Sequence, residues 1–210
     1  MSIDANNGCL INSLNELNAR LGRYETIICL GNGPSSEDPR LANYRGVILF
    51  RVNWNWTQRN WFRAPQMVFT GDRDLVQLPR EPIVAYPTQE IGESILLDHE
   101  TKGHHGRAGF IYFDRFTPSI ADFSKPKIPT NGALMVALAA ALRPRRLVVA
   151  GIDLYRHPQG KYAGPTDNSV GYTSQHSVEI DLDLIGRTMA EFDGEIIILS
   201  DNLRNALLKL

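Results

Sequence analysis

Residues 25–35 read ETIICLGNGPS, an apolar run that leads directly into a glycine-rich loop. An apolar run of this length, bounded by a turn signal, is typical of a strand that is buried on both faces, as strands of parallel sheets are. Glycines after such a strand allow a sharp turn and the close approach of a ligand. Because open parallel sheets bind ligands at the carboxyl ends of their strands, the stretch predicts a nucleotide or anion site at this loop.

The same pattern of buried strand followed by turn recurs along the chain. Apolar runs predict further strands at 47–52, 66–71, 82–87, 146–152 and 195–200, and apolar residues at helical spacing predict helices at 10–22, 131–142, 177–192 and, more briefly, 203–210. Strands that alternate with helices indicate an α/β fold. We therefore expect a single Rossmann-like domain over residues 1–210, with a mostly parallel sheet and helices on both faces.

Two regions lack a clear period. The segment from about residue 88 to residue 129 contains Gly, His, Phe and Pro without a regular spacing of apolar residues. Residues 153–176 are rich in Gly, Tyr and Asn. Long irregular segments inside a compact domain are usually functional. We expect both to form a lid-like loop region that covers the site or binds an acceptor.

Composition narrows the class of protein. A chain of 210 residues, 43% hydrophobic, can bury one core, and 22 basic against 23 acidic residues give no general attraction to nucleic acid or to an anionic membrane. Two cysteines are too few for a disulfide framework, and no run of about 18 apolar residues indicates a transmembrane segment. We expect a cytoplasmic protein that does not bind nucleic acid.

The glycine-rich loop by itself leaves its ligand open. It lacks the Gly-Lys-Ser/Thr ending of a Walker loop, and the next strand ends in Arg51-Val52-Asn53 rather than in the acidic residue that binds the ribose of NAD. NADP stays possible through Arg51. A tight turn with only a structural role is an equally good interpretation of Gly-x-Gly alone.

Several segments in order make the chain similar to a known family. They resemble the bacterial CMP-sialic acid-dependent sialyltransferases of the Campylobacter lipooligosaccharide type, over residues 25–53 and 128–210. The matching segments are Ile27 to Ser35 with Phe50 to Asn53, then Thr130-Asn131-Gly132, Ala150 to Tyr155, Tyr162-Ala163, and His176-Ser177 with Asp181.

This resemblance implies a function. Members of the family are metal-independent inverting enzymes, often tetramers, and would transfer sialic acid or a related nonulosonic acid from a CMP-sugar to a hydroxyl of a glycan acceptor. The partners implied are thus a CMP-activated acidic sugar, a glycan acceptor and further copies of the chain in a homotetramer, with no cofactor besides the substrate nucleotide. The resemblance also implies that the protein acts in lipopolysaccharide or capsule synthesis. It would reach the inner membrane only through partner proteins.

The resemblance also implies site residues, carried over by position. His176 would be the general base, and Tyr155 and Tyr162 would donate hydrogen bonds to the phosphate. The donor nucleotide would be held by Gly31, Asn32, Gly33, Ser35, Asn53, Thr130, Asn131, Gly132, Gly151 and Asp153, and no metal ligand is expected. Three positions depart from the family: Asn131 replaces Ser, Ile128 stands near an expected Arg, and Gly71 falls where an Asn often contacts the nucleotide.

The chemistry is consistent with these residue types. The acceptor hydroxyl must lose a proton, and a histidine with a pKa near neutrality contributes about 10² to 10⁴ in rate as a general base. Phenol and amide donors can meet the charge that grows on a single phosphate without a metal. Alone, His176 could instead be a capping or exposed histidine, and Thr130 only the N-cap of a helix.

Other motifs support different hypotheses. Asp72-Arg73-Asp74 spells the Asp-x-Asp of metal-dependent glycosyltransferases, and a non-catalytic nucleotide-binding module is a further alternative. The histidines of DHETKGHHG, His99, His104 and His105, indicate a polar acceptor loop rather than a metal site. Trp54, Trp56 and Trp61 are expected to pack in the core, with stacking on an acceptor as the alternative.

Overall fold

One seven-stranded parallel sheet forms the centre of the computed structural model, which describes residues 8–74, 76–104, 108–164 and 171–210. Every pair of neighbouring strands is parallel, in the order β5-β4-β3-β2-β1-β6-β7. The strands are β1 (Thr26–Leu30), β2 (Ile48–Val52), β3 (Met67–Phe69), β4 (Ile83–Tyr86), β5 (Gly109–Tyr112), β6 (Arg146–Ala150) and β7 (Glu195–Ile198).

Five α-helices surround the sheet, and each begins after a Ser or Thr whose side chain accepts a hydrogen bond from an amide of the first turn. They are α1 (Leu14–Leu21), α2 (Gln89–Thr101), α3 (Asn131–Ala141), α4 (Val178–Glu191) and α5 (Asp201–Leu207). Helix α3 is apolar all round, and its residues 133–140 are all buried. It therefore lies between the sheet and α4 in the middle of the main core.

The two faces of the sheet are covered differently. Alternate strand residues such as Ile27, Cys29 and Phe50 point into the main core beneath α1, α3, α4 and α5. The other face is covered by short 3₁₀ turns over Ile28 and Leu30, by the Trp54–Trp56 segment, and by α2. The predicted α/β class, the parallel sheet and the coverage of both faces are thus confirmed.

The prediction of irregular structure over residues 88–129 is wrong for α2 and β5. The buried positions of α2 are Gly92, Ile95, Leu96 and His99, which have the i, i+3, i+4, i+7 spacing of a helix face. The first and last of these positions are a glycine and a histidine. The sequence therefore shows only two apolar side chains on the buried face of the helix, too few to predict it. Whether this region acts as a lid stays a prediction.

One of the three histidines predicted for a polar acceptor loop lies in a helix instead. His99 is buried on α2, and its Nε2 atom lies 3.2 Å from the carbonyl oxygen of Arg73. His104 follows the end of α2, and His105 lies outside the described residues. The interpretation of His99 as an exposed acceptor-binding residue is therefore wrong, because its ring fills the core side of a helix.

The second predicted loop region is residues 153–176. Its described parts, residues 153–164 and 171–176, contain turns and no helix or strand, and residues 165–170 lie outside the described part of the chain.

Within the described ranges, no helix has both the length and the apolar character that crossing a bilayer requires.

Candidate active site

The site lies where the direction of strand order reverses. The chain runs outward from β1 through β2 to β5 and then returns to place β6 on the other side of β1. A crevice opens at such a switch point, outside the carboxyl ends of the strands. The loops after β1 and β6, residues 31–35 and 151–155, meet there. All the predicted site residues belong to these two loops or to segments that reach them.

The two loops are in direct backbone contact. The amide of Gly33 donates to the carbonyl oxygen of Gly151 at 2.9 Å. A Cβ atom on Gly31 would lie 2.2 Å from that same oxygen, and one on Gly33 would lie 2.4 Å from Oδ2 of Asp153. Gly151 has a φ of +72°, a region that favours glycine. The glycines are thus explained first by the approach of one loop to the other.

Most amides of the glycine-rich loop already have partners inside the protein. The N–H of Gly31 donates to Ala150, that of Gly33 to Gly151, that of Ser36 to Gly33, and that of Ser35 to the carboxylate of Asp153. Pro34 has no N–H to offer. The expectation that the loop amides face an anion therefore finds little support in their geometry, and any charge for an anion must come mainly from side chains.

Asp153 joins three loops. Its buried carboxylate accepts hydrogen bonds from the hydroxyl of Ser35 at 2.6 Å and from the hydroxyl of Ser200, at the start of α5, at 2.5 Å. The hydroxyl of Ser35 in turn accepts from the amide of Gly151 at 2.7 Å. These bonds hold the loops after β1, β6 and β7 in one arrangement. Contact of Ser35 or Asp153 with a nucleotide stays a prediction.

Two asparagines lie on either side of the crevice. Asn32 is nearly buried, and its amide donates to the carbonyl oxygen of Val52 at 2.8 Å. Asn53, with a φ of 50°, accepts at 3.2 Å from the side-chain amide of Asn131, at the first position of α3. The structure thus brings together residues that are far apart in sequence, as the prediction of a shared nucleotide site requires. Gly132 follows Asn131 in the same first turn.

Three tyrosines form a compact aromatic cluster over the loops. The ring of Tyr155 makes edge contacts with Tyr162 and with Tyr172, at centroid distances of 5.7 and 5.0 Å. The amide of Ala163 donates to the carbonyl oxygen of Asn32 at 2.8 Å, which holds Tyr162 beside the glycine-rich loop. Burial raises the pKa of Tyr155 and the pKa of Tyr162 above their ordinary value. Both hydroxyls therefore stay protonated at neutral pH, and the two side chains are hydrogen-bonded to each other.

The backbone at Tyr155 is strained. Leu154 and Tyr155 are consecutive non-glycine residues in the left-handed region, with φ values of 52° and 56°. Each such residue costs about 1 to 2 kcal/mol. Strain of this kind is retained where the surrounding structure fixes it, and here it directs the tyrosine ring toward the cluster.

One hydrogen bond orients the ring of His176, and its role as a general base stays a prediction. Its Nδ1 atom lies 2.9 Å from the carbonyl oxygen of Ile128, and because a carbonyl can only accept, Nδ1 carries the proton. The neutral ring then has its lone pair on Nε2, where a base must accept. Ile128 thus contributes its backbone carbonyl to the orientation of the ring.

Asp181 holds the segment before α3 and was missed as a site residue. It is buried in the first turn of α4 and accepts from the amide of Thr130 at 2.8 Å, from its hydroxyl at 2.7 Å, and from the hydroxyl of Tyr172 at 3.1 Å. Desolvation raises the pKa of its carboxyl although these bonds oppose the rise. Thr130 also caps α3, so the alternative of a capping role is confirmed.

Asp72 also belongs to the site. It follows β3, and its charge contributes to the raised pKa of both Tyr155 and Tyr162. Burial, and then the neighbouring Asp74, raise the pKa of Asp72 itself. Over the described ranges there is no cluster of three or more His, Cys, Asp or Glu side chains that could hold a metal ion.

The tryptophans pack as expected. Trp54 is 3% exposed and Trp56 is fully buried, both against Val68 of β3. The indole N–H of Trp56 donates to the carbonyl oxygen of Asn53 at 2.7 Å and so supports the left-handed conformation of that residue. Core packing is therefore confirmed for these two tryptophans.

Comparisons with known proteins identify the fold. No family model matches the chain, and no curated protein matches it. Among solved structures, it is similar to the monofunctional α-2,3-sialyltransferase Cst-I of Campylobacter jejuni, with a TM-score of 0.58, 16% identity, and coverage of 85% of this chain and 77% of that one.

Two structures of a second enzyme agree. Sialyltransferase CstII of Campylobacter jejuni in complex with a substrate analogue, CMP-3FNeuAc, gives a TM-score of 0.56 at 14% identity, covering 86% of this chain and 84% of that one. The same enzyme with cytidine-5′-monophosphate gives 0.55 at 15% identity, covering 86% and 82%. Identity this low establishes the architecture alone. The chain therefore has the fold of the Campylobacter jejuni sialyltransferases.

Proposed function

We propose that the chain is a glycosyltransferase that transfers sialic acid or a related nonulosonic acid from a CMP-sugar to a hydroxyl group of a glycan acceptor. The observation that carries the proposal is the cluster of Tyr155 and Tyr162 at the loops of the switch point. His176 lies against the segment before α3, where the carbonyl oxygen of Ile128 accepts from its ring. Support comes from the shared fold, because CstII structures with this fold hold CMP and a CMP-sugar analogue.

The leaving phosphate would be met by the tyrosines. As the bond between the anomeric carbon and the phosphate oxygen breaks, its electron pair goes to CMP and negative charge grows on the phosphate. Tyr155 and Tyr162 remain protonated and can donate to that charge as it develops. Donors that burial and ring contacts hold in place do not need to reorganise during the step, and no metal is required for a single phosphate.

The acceptor would be activated by His176. The hydroxyl oxygen of the acceptor forms the new bond to the anomeric carbon on the face opposite the departing CMP, so that the configuration at this carbon is inverted. The proton of the hydroxyl moves to Nε2 of His176. The carbonyl oxygen of Ile128 keeps the proton of the neutral ring on Nδ1, and it also accepts from the imidazolium that forms.

The nucleotide would lie along the crevice between the loops after β1, β2 and β6. Asn32 and Asn53 would hold its phosphate and ribose, and Thr130, Asn131 and Gly132 the base or the donor carboxylate. Gly31, Gly33, Ser35, Gly151 and Asp153 shape the floor through the contacts described above. A homotetramer that acts in lipopolysaccharide or capsule synthesis, in the cytoplasm and held at the inner membrane by partners, completes the proposal.

The test is turnover of CMP-N-acetylneuraminic acid by a His176→Asn variant, measured as CMP release with a mixture of glycan acceptors. We expect kcat to fall by about 10² to 10⁴, while the Kd for CMP stays within about twofold. His104→Ala is the control, because His104 follows the end of α2, whereas the site lies at the carboxyl ends of the strands, the edge of the sheet at which α2 begins. Unchanged turnover in His176→Asn would refute the general-base assignment.

A metal-dependent transferase is the second candidate, because Asp72 of the Asp-x-Asp motif lies beside the tyrosine cluster. It predicts that EDTA abolishes turnover and that Mn²⁺ or Mg²⁺ restores it. The metal-independent mechanism predicts the same rate with and without EDTA. Binding of CMP with neither transfer nor donor hydrolysis would instead favour the non-catalytic module.

A further inference from the structure

Arg51 is a buried cation directly beneath the glycine-rich loop. It lies in β2 with its side chain fully buried, and its Nη1 atom is 3.4 Å from the carbonyl oxygen of Gly31. The guanidinium carbon lies 5.2 Å from the centroid of the Trp56 ring, a cation–π contact. Throughout the described part of the chain, its Nε and Nη2 atoms have no hydrogen-bond partner. Burial of a charged group without full pairing is costly and calls for an explanation.

Arg59 is a second cation at the same loop. Its guanidinium is 13% exposed and lies 3.3 Å from Oδ1 of Asn32, 3.1 Å from the hydroxyl of Ser36 and 3.3 Å from the carboxylate of Glu37. These contacts hold the planar group at the lip of the loop. Asn32 is fixed from both ends, because its Nδ2 atom donates to Val52 and its Oδ1 atom accepts from Arg59.

The two arginines leave a local excess of positive charge. Burial, together with the charge of Arg59, lowers the pKa of Arg51 to about 9, so both groups remain charged at neutral pH. Among the described residues, Arg59 forms an ion pair with the carboxylate of Glu37. The side chain of Glu37 is 52% exposed, so water screens its charge. The Gly31–Ser36 segment lies against both cations while its own amides bond within the protein.

We propose that these arginines provide the anion site of the crevice, with Arg59 contacting the phosphate of the bound nucleotide and Arg51 acting from beneath as a positioning charge. The identity of the nucleotide rests on the proposed function, whereas the anion site does not. Arg59 lies at the lip of the loop, still partly exposed, and its planar fork suits a phosphate that would replace one of its present partners. Arg51 is fully buried, so it does not touch a ligand. Its charge makes the electrostatic potential at the loop more positive, because the protein interior between them has a low dielectric constant.

Binding of CMP, cytidine and inorganic phosphate to the full chain tests this site by calorimetry. The readout is the ratio of the CMP and cytidine affinities, which isolates the phosphate. Arg59→Gln should lower the CMP affinity by about ten- to a hundredfold and leave the cytidine affinity within about twofold. Arg59→Lys, which keeps the charge without the fork, should give a smaller loss, and Arg63→Gln, at an exposed arginine close by in sequence, should leave both affinities unchanged.

Arg51→Met tests the positioning charge. It keeps much of the apolar volume and should reduce the CMP affinity at least threefold at unchanged cytidine affinity, while the free energy of unfolding without ligand stays equal or rises, because an incompletely paired buried charge has been removed. Should this variant not fold, the two Arg59 variants decide the proposal by themselves.

Equal loss of CMP and cytidine affinity in Arg59→Gln would overturn the proposal, since it would indicate a structural role for the arginine. Unchanged CMP affinity would overturn it as well. Failure of the proposed function is distinguishable: the wild type would then not bind CMP, while inorganic phosphate would still bind and would be lost in Arg59→Gln.

Discussion

Asp72 places a carboxylate beside the tyrosine hydroxyls that are proposed to meet a phosphate. Its charge raises the pKa of Tyr155 and Tyr162, and a bound phosphate would feel the same field with unfavourable sign. Arg51 and Arg59 act in the opposite direction from the glycine-rich loop. The protonation of Asp72 is therefore one of the factors that set the potential of the crevice, together with that of the buried Asp181.

Asp72→Asn should stabilise the protein at neutral pH. The pKa of Asp72 is raised above its ordinary value of 3.8, first by burial and then by Asp74, so the folded state disfavours its charged form. The stabilising contribution of the carboxyl is complete below 3.8 and is lost as pH rises through its raised pKa. The stability of the Asn variant relative to the wild type should thus increase from about pH 4 to pH 8, as measured by urea unfolding.

The same variant separates the two mechanisms. Without a metal, removal of the negative charge should leave the Kd for CMP equal or lower, whereas a metal-dependent enzyme would lose both metal and turnover. Asp74→Asn is a second test of the metal, because a metal-dependent enzyme would lose turnover with this variant as well. A stability difference that is constant over the pH range would contradict the assigned pKa shift.

Sequence alone named some of the candidate site residues and missed others for a physical reason. Tyr155, Tyr162 and His176 stand in an ordered pattern that can be recognised without coordinates. Arg59 and Asp181 act through contacts that exist only after folding, since Arg59 returns to Asn32 across a turn and Asp181 reaches Thr130 from another helix. A buried acid in the first turn of a helix is a signal that could have identified Asp181.

Among the elements, buried strands were predictable because apolar runs bounded by turn residues have few other interpretations. Helix α2 was not, because its buried face begins and ends with Gly92 and His99. Gly92 is required by packing, since a Cβ atom there would lie 2.3 Å from the ring of Tyr112 on β5. Close contact between helix and strand thus removed the apolar side chain that would have identified the helix.

The contact between the loops after β1 and β6 predicts a large effect of Gly151→Ala. Its φ is +72°, and the new Cβ atom would lie 2.7 Å from the backbone carbon and oxygen of Gly31. Left-handed backbone alone costs an alanine about 1 to 2 kcal/mol, and displacement of the glycine-rich loop adds to this. Urea unfolding should show a loss above about 2 kcal/mol, and nucleotide affinity should fall with it.

Gly46→Ala is the matched control for this contact. Gly46 has a φ of +60°, but a Cβ atom there would meet nothing within 4 Å. Its substitution should cost only the backbone term and leave nucleotide affinity unchanged. If the two variants lost the same stability, the close approach of the loops would not be what requires a glycine at 151.

At the scale of the whole molecule, binding of a nucleotide in the crevice should raise the thermal stability of the protein. CMP at about 100 times its Kd should add about 2.7 kcal/mol, or about 5 to 10 °C in Tm for a chain of this size. We expect the shift to persist in EDTA and to exceed that given by UDP, GDP or NADP at equal concentration, as measured by differential scanning fluorimetry. A larger shift with NADP would instead favour dinucleotide binding through Arg51.

The strand order also governs how the protein is made. The neighbours of β1 are β2, which follows soon in the chain, and β6, which follows long after, so that Cys29 pairs with Phe50 on one side and with Val149 on the other. At about 5 to 20 residues per second, a ribosome would leave that second edge open for on the order of ten seconds. During this time an apolar strand edge is exposed to other nascent chains, a known route to aggregation. The arrangement that builds the crevice at the centre of the sheet thus makes this protein a natural client for chaperones that bind during translation.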